Sequence, residues 1–388
     1  MPRGGAAAPP PRRVCFFGTY NRTHTVTRLL WQACRAVGIE VVECHRPLWE
    51  LTRDKTAAYF GVGSLIRLLR AYFQAARDLS RARQALGAVP LYVVGFNGQL
   101  DCLLLRWLVR RQPTPILFAP LVTVTETLVD DRNLFAAGSV RARLARTLDR
   151  LSLTVATRVV IDAEAHRQYV IDTFNLPPER VATWHLGADD EVFKPLPLPE
   201  RRGRVHVLFY GTFLPLHGVH TILAAAARLR DQTAIDWLFV GTGPERAACA
   251  AQARAAGLER MVFHDWVAYD HLGETIAAAD ICLGIFGVTP KARMVVPNKV
   301  FQAAMVGRAV ITADTPAVRE IFAHGETAWL CPPGDAAALA DGIATLTADA
   351  ALRQRLGRQA GALMAERFSA AEQGRRLAEI LSAATVPQ

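Results

Sequence analysis

Short apolar runs alternate with amphipathic stretches along most of this 388-residue chain. In the first half, the runs at 13–17, 39–43, 91–95, 115–119 and 158–161 read as buried strands. Between them apolar positions recur at helical spacing. This predicts a helix ending near Val37 and others over 62–87, 99–111, 139–156 and 163–173. The pattern breaks at 186–203, where three prolines, two glycines and clustered charge predict a linker. The same order then restarts, with strands at 205–210, 237–240, 261–264, 280–285 and 309–312. Helices are predicted at 219–230, from 299 to about 306, and over 335–347, 350–366 and 370–383. Strand, helix, strand in repeated order predicts parallel sheets, and two such series predict two α/β domains.

The second series is organised around the stretch from Pro297 to Thr312. Asn298 is placed to cap a helix, Val300, Phe301 and Ala304 give it an apolar face, and Gly307 supplies a left-handed stop. A helix that opens beside a strand's carboxyl end presents free N–H groups and a positive dipole end, which is an anion site. Lys299, in the first turn, opposes that dipole. A bound phosphate would explain it, and so would simple solvation at the surface. Gly211, Gly218, Gly241 and Gly243 follow strands, where a missing side chain lets a ligand approach the backbone.

Composition is globular, with 51% hydrophobic and 21% charged residues. Seven scattered cysteines, odd in number and without a Cys-x-x-Cys pair, suit reduced thiols in a cytosol rather than disulfides or zinc. No apolar run is long enough to span a bilayer. The first twelve residues lack an apolar core and read as a disordered leader. The net charge of +10 is uneven: residues 1–200 carry 26 Lys and Arg against 18 Asp and Glu, residues 201–388 only 19 against 17. Basic excess suits anionic lipid, a phosphorylated substrate or nucleic acid. No nucleic-acid motif accompanies it, so nucleic acid ranks last.

In that basic half, the 62–87 helix combines an apolar side, from Leu65 to Phe73, with Arg67, Arg70, Arg77, Arg81 and Arg83. This fits a helix lying on an anionic membrane, or an ordinary amphipathic helix packed on a sheet. The turn after the first strand is not Gly-x-Gly-x-x-Gly, so no dinucleotide fingerprint is present. Gly18 and Asn21 are placed to line a cleft, and Arg22 to meet an anionic acceptor or solvent. The loop 120–132 is long and polar. It offers Thr123, Thr125 and Glu126 for acceptor binding or acid/base work, with Asp130 and Asp131 as alternative caps. His166 on a helix reads as structural.

The second half resembles the retaining glycosyltransferases of family four, which have the GT-B fold. The resemblance rests on Tyr210-Gly-Thr212 with His217 and Gly218, on Phe239-Val-Gly-Thr-Gly-Pro244, and on Phe263-His-Asp-Trp-Val267. It continues through Pro297-Asn-Lys-Val-Phe-Gln-Ala303, Gly307-Arg-Ala-Val-Ile311, Thr315-Pro-Ala-Val-Arg-Glu320, Gly325-Glu-Thr-Ala328 and Phe368-Ser369. It implies two Rossmann-like doubly wound domains facing a central cleft. Their expected bounds are 13–185 for acceptor binding and 204–369 for the nucleotide sugar, with 370–388 as a helix crossing back. The loop of Gly211, Thr212 and Gly218 looks like the pyrophosphate side, with Gly241 and Gly243 beside it. Trp266 and Val267 look like the nucleobase rim, and Gln302 sits where a glutamate usually binds the ribose. Pro297, Asn298, Phe286 and Gly287 complete the expected donor site. Two departures stand out. The family's paired glutamates are Met294 and Gln302 here, and its loop lysine is His217.

Lys299 and His217 are expected to converge as the cationic side of the pyrophosphate site, since strand-to-helix loops of one parallel sheet open on one edge. With Glu126 they are the expected catalytic residues. The implied reaction moves a sugar from a nucleotide sugar to a lipid-linked or saccharide acceptor with retention. No metal or cofactor is expected, the site being cytoplasmic or peripheral at the inner membrane face. A non-catalytic sugar-nucleotide-binding scaffold and a GT-B sugar-nucleotide epimerase are the alternatives.

Overall fold

The computed structural model describes residues 9–48, 62–197 and 203–385. The expected leader (1–12) and linker (186–203) fall partly outside them, as do residues 386–388 of the last expected segment. Among the described residues, twelve strands form two six-stranded, wholly parallel sheets. The first contains β1 (Arg13–Gly18), β2 (Glu40–His45), β3 (Tyr92–Val94), β4 (Ile116–Phe118), β5 (Arg158–Ile161) and β6 (Val181–Thr183), in the order β2-β1-β3-β4-β5-β6. The second contains β7 (Val205–Tyr210), β8 (Ile235–Val240), β9 (Met261–His264), β10 (Ile281–Leu283), β11 (Ala309–Ala313) and β12 (Trp329–Cys331), in the order β12-β11-β10-β7-β8-β9. The sequence pattern does not mark β6 and β12, which are three residues long and only partly buried.

Strand side chains alternate between two buried faces. In β1, Cys15 and Phe17 join the core under the helices Val62–Leu86, Gln99–Leu108 and Val140–Val155. Val14 and Phe16 join the opposite core under the helices Thr25–Ala36 and Ala370–Thr385. Helices cover both faces, so the strands can be apolar throughout. The second sheet repeats this, with Val207 and Phe209 on one face and Leu208 and Tyr210 on the other.

The chain changes domain at 186–197, and this stretch is pinned at both ends. Trp184 and Leu186 belong to the first domain's core, Ala188 and Phe193 to the second's. Arg308, only 1% exposed, spends its guanidinium on the carbonyls of Leu196, Pro197 and Ala277. The helix Ala370–Thr385 then returns to the first domain. Leu377, Leu381 and Ala384 enter its core, and Gln373 donates to the Leu186 carbonyl at 2.9 Å. Gly374 permits the crossing: a Cβ there would stand 2.5 Å from the Ala33 carbonyl oxygen.

Candidate functional site

In an open parallel sheet, ligands bind outside the carboxyl ends of the strands where the winding reverses. In the second sheet that point lies between β7 and β10. The helix Val219–Arg228 after β7 packs on one face, and the helix Asn298–Met305 after β10 on the other. Lys299 and His217 meet between them. Gly211 stands at φ +137°, and a Cβ there would be 3.1 Å from Lys299 Nζ and 3.3 Å from His217 Cε1. The glycine is therefore required by its backbone angle, and the Lys299 and His217 side chains leave little room against it.

Lys299 is 7% exposed. Its Nζ lies 4.0 Å over the Phe209 ring and has no hydrogen-bond partner. His217 stands edge-on to the same ring, its centroid 5.8 Å away, and its Nδ1 also lacks a partner. Burial holds the Lys299 ammonium well below the usual lysine range. The His217 pKa is also depressed, first by burial and then by the Lys299 charge, against a small opposing pull from the Thr212 backbone. Two buried nitrogens without a carboxylate partner suit the binding of an anion.

The local backbone fits that reading. The helix Val219–Arg228 starts at Gly218 and the helix Asn298–Met305 at Pro297, neither with a side-chain cap. This corrects the expectation that Asn298 caps. Pro297 occupies the cap position and Asn298 is the first helical residue, so the first-turn N–H groups meet no side-chain acceptor. Tyr210 fixes this helix start by donating to the Lys299 carbonyl at 2.7 Å.

Other expected donor residues act as supports. Gly241 and Gly243 lie behind the 211–213 backbone: a Cβ on Gly241 would be 2.0 Å from the Gly211 carbonyl oxygen, and one on Gly243 2.6 Å from Phe213 N. The N–H groups of Phe286 and Gly287 donate to His217 and Leu216 carbonyls at 3.0 and 3.2 Å, so they fasten two loops and are not free for a sugar. Gln302 is 5% exposed and its amide makes no side-chain hydrogen bond among the described residues. Thr212 is exposed, Trp266 is 64% exposed, and Val267 packs against the second core.

The first domain departs further from expectation. Glu126 is fully buried, lies 2.9 Å from His166 Nε2, and accepts from Thr123 N at 2.8 Å. His166 Nδ1 is 2.7 Å from Asp162. Burial alone would depress the His166 pKa, but the charges of Glu126 and Asp162 raise it to about 10. Burial likewise pushes Glu126 up, yet the His166 charge brings it down to about 2. The group is thus a closed carboxylate–imidazolium–carboxylate chain, and Glu126 is not an open acid or base. Thr125 is also turned inward, its N and Oγ1 donating to Asp149 at 2.8 and 2.7 Å. Thr123 donates its N–H to Glu126 and accepts from Glu126 N at 3.1 Å. The expected acceptor role of both threonines is corrected accordingly. Asn21 closes an Asx turn onto Thr23, and Arg22 pairs with Glu43 at 3.0 Å. Gly18 is pressed against Asp101, which accepts from Thr19 and Tyr72. The only sequence signal for the buried chain is the four-residue step from Asp162 to His166.

A surface hollow of about 630 Å³ lies away from both sites, between Arg106, Thr114 and Arg180 at the amino edge of the first sheet. Arg180 is spent there on the Thr154 and Ala156 carbonyls.

Residues 204–349 match the family model described as Glycosyl transferases group 1. Among curated proteins, the chain is 28% identical over 144 residues to a 2-deoxystreptamine N-acetyl-D-glucosaminyltransferase of Niallia circulans, covering 37% of this chain and 36% of that one. It is 24% identical over 249 residues to an alpha-D-kanosaminyltransferase of Streptomyces kanamyceticus, covering 61% and 63%. The matched stretches thus span between about one third and under two thirds of these relatives. Among solved structures, sucrose-phosphate synthase from Thermosynechococcus elongatus superposes with TM-score 0.71 at 18% identity, over 95% of this chain and 98% of that one. HepE of Anabaena, in complex with UDP and glucose, superposes with TM-score 0.67 at 17% identity, over 96% and 99%. The fold is GT-B.

Proposed function

We propose that this chain, a family-four-like glycosyltransferase by its second domain and its GT-B fold, transfers a sugar from a nucleotide sugar to a saccharide or lipid-linked acceptor with retention. One observation carries the reading: the buried Lys299 amine stands beside His217 at the β7–β10 reversal with no carboxylate or other hydrogen-bond partner from the chain, which suits an anionic ligand. A nucleoside diphosphate supplies that anion. As the bond to the sugar breaks, negative charge grows on the leaving diphosphate, and fixed cationic donors stabilise it. The open N–H groups at two helix starts add to this, so the leaving group needs no metal. Gln302, with its unused amide, suits the ribose hydroxyls.

Calorimetry against a panel of nucleoside diphosphates and their sugars tests the donor site. UDP is the first probe, because a structural neighbour is a UDP complex. Micromolar binding of at least one, followed by sugar transfer, is expected. Binding without transfer or hydrolysis would favour a non-catalytic sugar-nucleotide scaffold, which the loss of both family glutamates at Met294 and Gln302 also suits. Conversion of the donor without an acceptor would favour an epimerase.

The acceptor side of the reading rests on the first domain's outer face. The helices Val62–Leu86, Gln99–Leu108 and Val140–Val155 leave Leu69, Phe73, Trp107 and Leu144 between 57% and 66% exposed. Arginines interleave with them, while two of the three aspartates on these helices, Asp101 and Asp149, are buried. Apolar side chains set among positive charge suit an anionic bilayer surface. No described helix is long and apolar enough to cross a membrane. Vesicle co-sedimentation is expected to retain the protein on anionic lipid, to lose it on neutral lipid, and to weaken with salt. Phe73→Ser with Leu69→Ser is expected to reduce binding at least severalfold. Equal binding to neutral vesicles, or none to either, removes the membrane from the proposal.

A further inference from the structure

The helix Pro290–Met294 follows β10 in the second domain, yet one side of it meets the first domain. It sits against the π-helical turn Glu126–Asp131 and the helix Glu164–Phe174. Lys291, 8% exposed, sends Nζ to Thr127 Oγ1 at 3.3 Å, where its charge also acts on Glu126 and Asp131. The Thr289 hydroxyl accepts from Ala292 N at 3.2 Å and lies 3.4 Å from Asp131 Oδ1, so one residue both starts the helix and touches the other domain.

The other side of the same helix grips the donor loop. Ala292 and Val295 pack with Leu216 and Ile285 in a small separate core. Leu216 precedes His217, and their two carbonyls accept the N–H groups of Gly287 and Phe286. A rigid path therefore runs from the first domain's buried carboxylates, through Lys291, to the turn that holds His217. A second interdomain contact stands nearby, where Glu320 accepts from Glu164 N and Ala165 N at 2.7 and 2.8 Å and from His185.

We propose that Lys291 is a positioning residue: its clasp onto the Glu126–Asp131 turn holds the two domains closed and sets the His217 loop for a nucleoside diphosphate. Glu126 then serves by receiving Lys291, with His166 and Asp162 holding its carboxylate in place. The inference rests on the donor site proposed above, and the test keeps the two apart. Small-angle scattering of the full chain without ligand reads closure alone. Lys291→Met and Asp131→Asn are each expected to enlarge the radius of gyration. Titration with UDP and GDP reads the loop, and each variant is expected to weaken the better-bound nucleotide about tenfold, a usual size for coupling between sites. Lys291→Arg keeps the charge and should restore most of both readouts. In a double-mutant cycle, the double variant should be little worse than either single one, since both break one clasp.

Unchanged dimensions and affinity in Lys291→Met overturn the proposal, and so do fully additive losses in the cycle. Asp131→Asn keeps the side chain's shape and covers the case in which Lys291→Met does not fold. If the unaltered protein binds neither nucleotide, the donor reading fails while scattering still decides the clasp.

Discussion

Lys299→Ala is expected to lower kcat with the true donor and acceptor by about 10²-fold, and to weaken donor binding much less. The substitution removes a buried amine that has no hydrogen-bond partner and rests over the Phe209 ring, so thermal midpoints measured beside kcat separate lost packing from lost charge. The amine's expected contribution is to charge that grows as the diphosphate leaves. A second measurement sharpens the point. Burial holds the Lys299 pKa well below the usual lysine range. A bound diphosphate would raise it, because an adjacent anion favours the charged form. Binding then takes up a proton wherever the pH lies above the free pKa and below the bound one. Affinity should fall as pH rises across that interval, and calorimetry in buffers of different ionisation heat should show the uptake. Lys299→Ala should abolish most of it, leaving the smaller share of His217. Wild-type turnover in Lys299→Ala would return this residue to a packing role.

His166→Leu is expected to cost the first domain about 3–5 kcal/mol, because it leaves Asp162 buried without its imidazolium and Glu126 with only the Lys291 charge. Denaturant midpoints read the loss. Its pH dependence follows from the two partners. Glu126 titrates at about 2 in place of the ordinary 4.5, so its stabilisation is present above 4.5 and is lost as pH falls towards 2. His166 titrates at about 10 in place of 6.5, so its stabilisation is complete below 6.5 and is lost as pH rises through 10. The gap between wild type and variant should therefore be widest between about 4.5 and 6.5, and narrow on either side. Equal midpoints across that window would make the chain of three a bystander.

The second domain was more legible in the sequence than the first. The start of the helix carrying Lys299, the glycines of the 211–218 loop and the meeting of Lys299 with His217 all follow from local pattern and parallel-sheet geometry. The cap was misassigned by one residue, since Asn298 is the better capping side chain but Pro297 holds the position. In the first domain, the hydroxyls and carboxylates of 120–132 read as an open binding loop. Their partners come from far along the chain, Asp149 for Thr125 and His166 for Glu126. A polar loop satisfied from within has the same local composition as one facing solvent, so sequence pattern cannot tell them apart. Nothing in the local pattern marks Lys291, because its partners belong to the other domain.

The return of the helix Ala370–Thr385 into the first domain has a consequence for how the protein is made. Leu377, Leu381 and Ala384 complete a core whose other members lie mostly in the first 190 residues. A ribosome must therefore translate the whole second domain before that core can close. Until then Val14, Phe16, Leu30 and Leu91 face a gap on a nascent chain, while the second sheet already has nearly all its covering helices. The second domain has its packing partners before that helix is made, and one face of the earlier-made half waits for the helix that seals it.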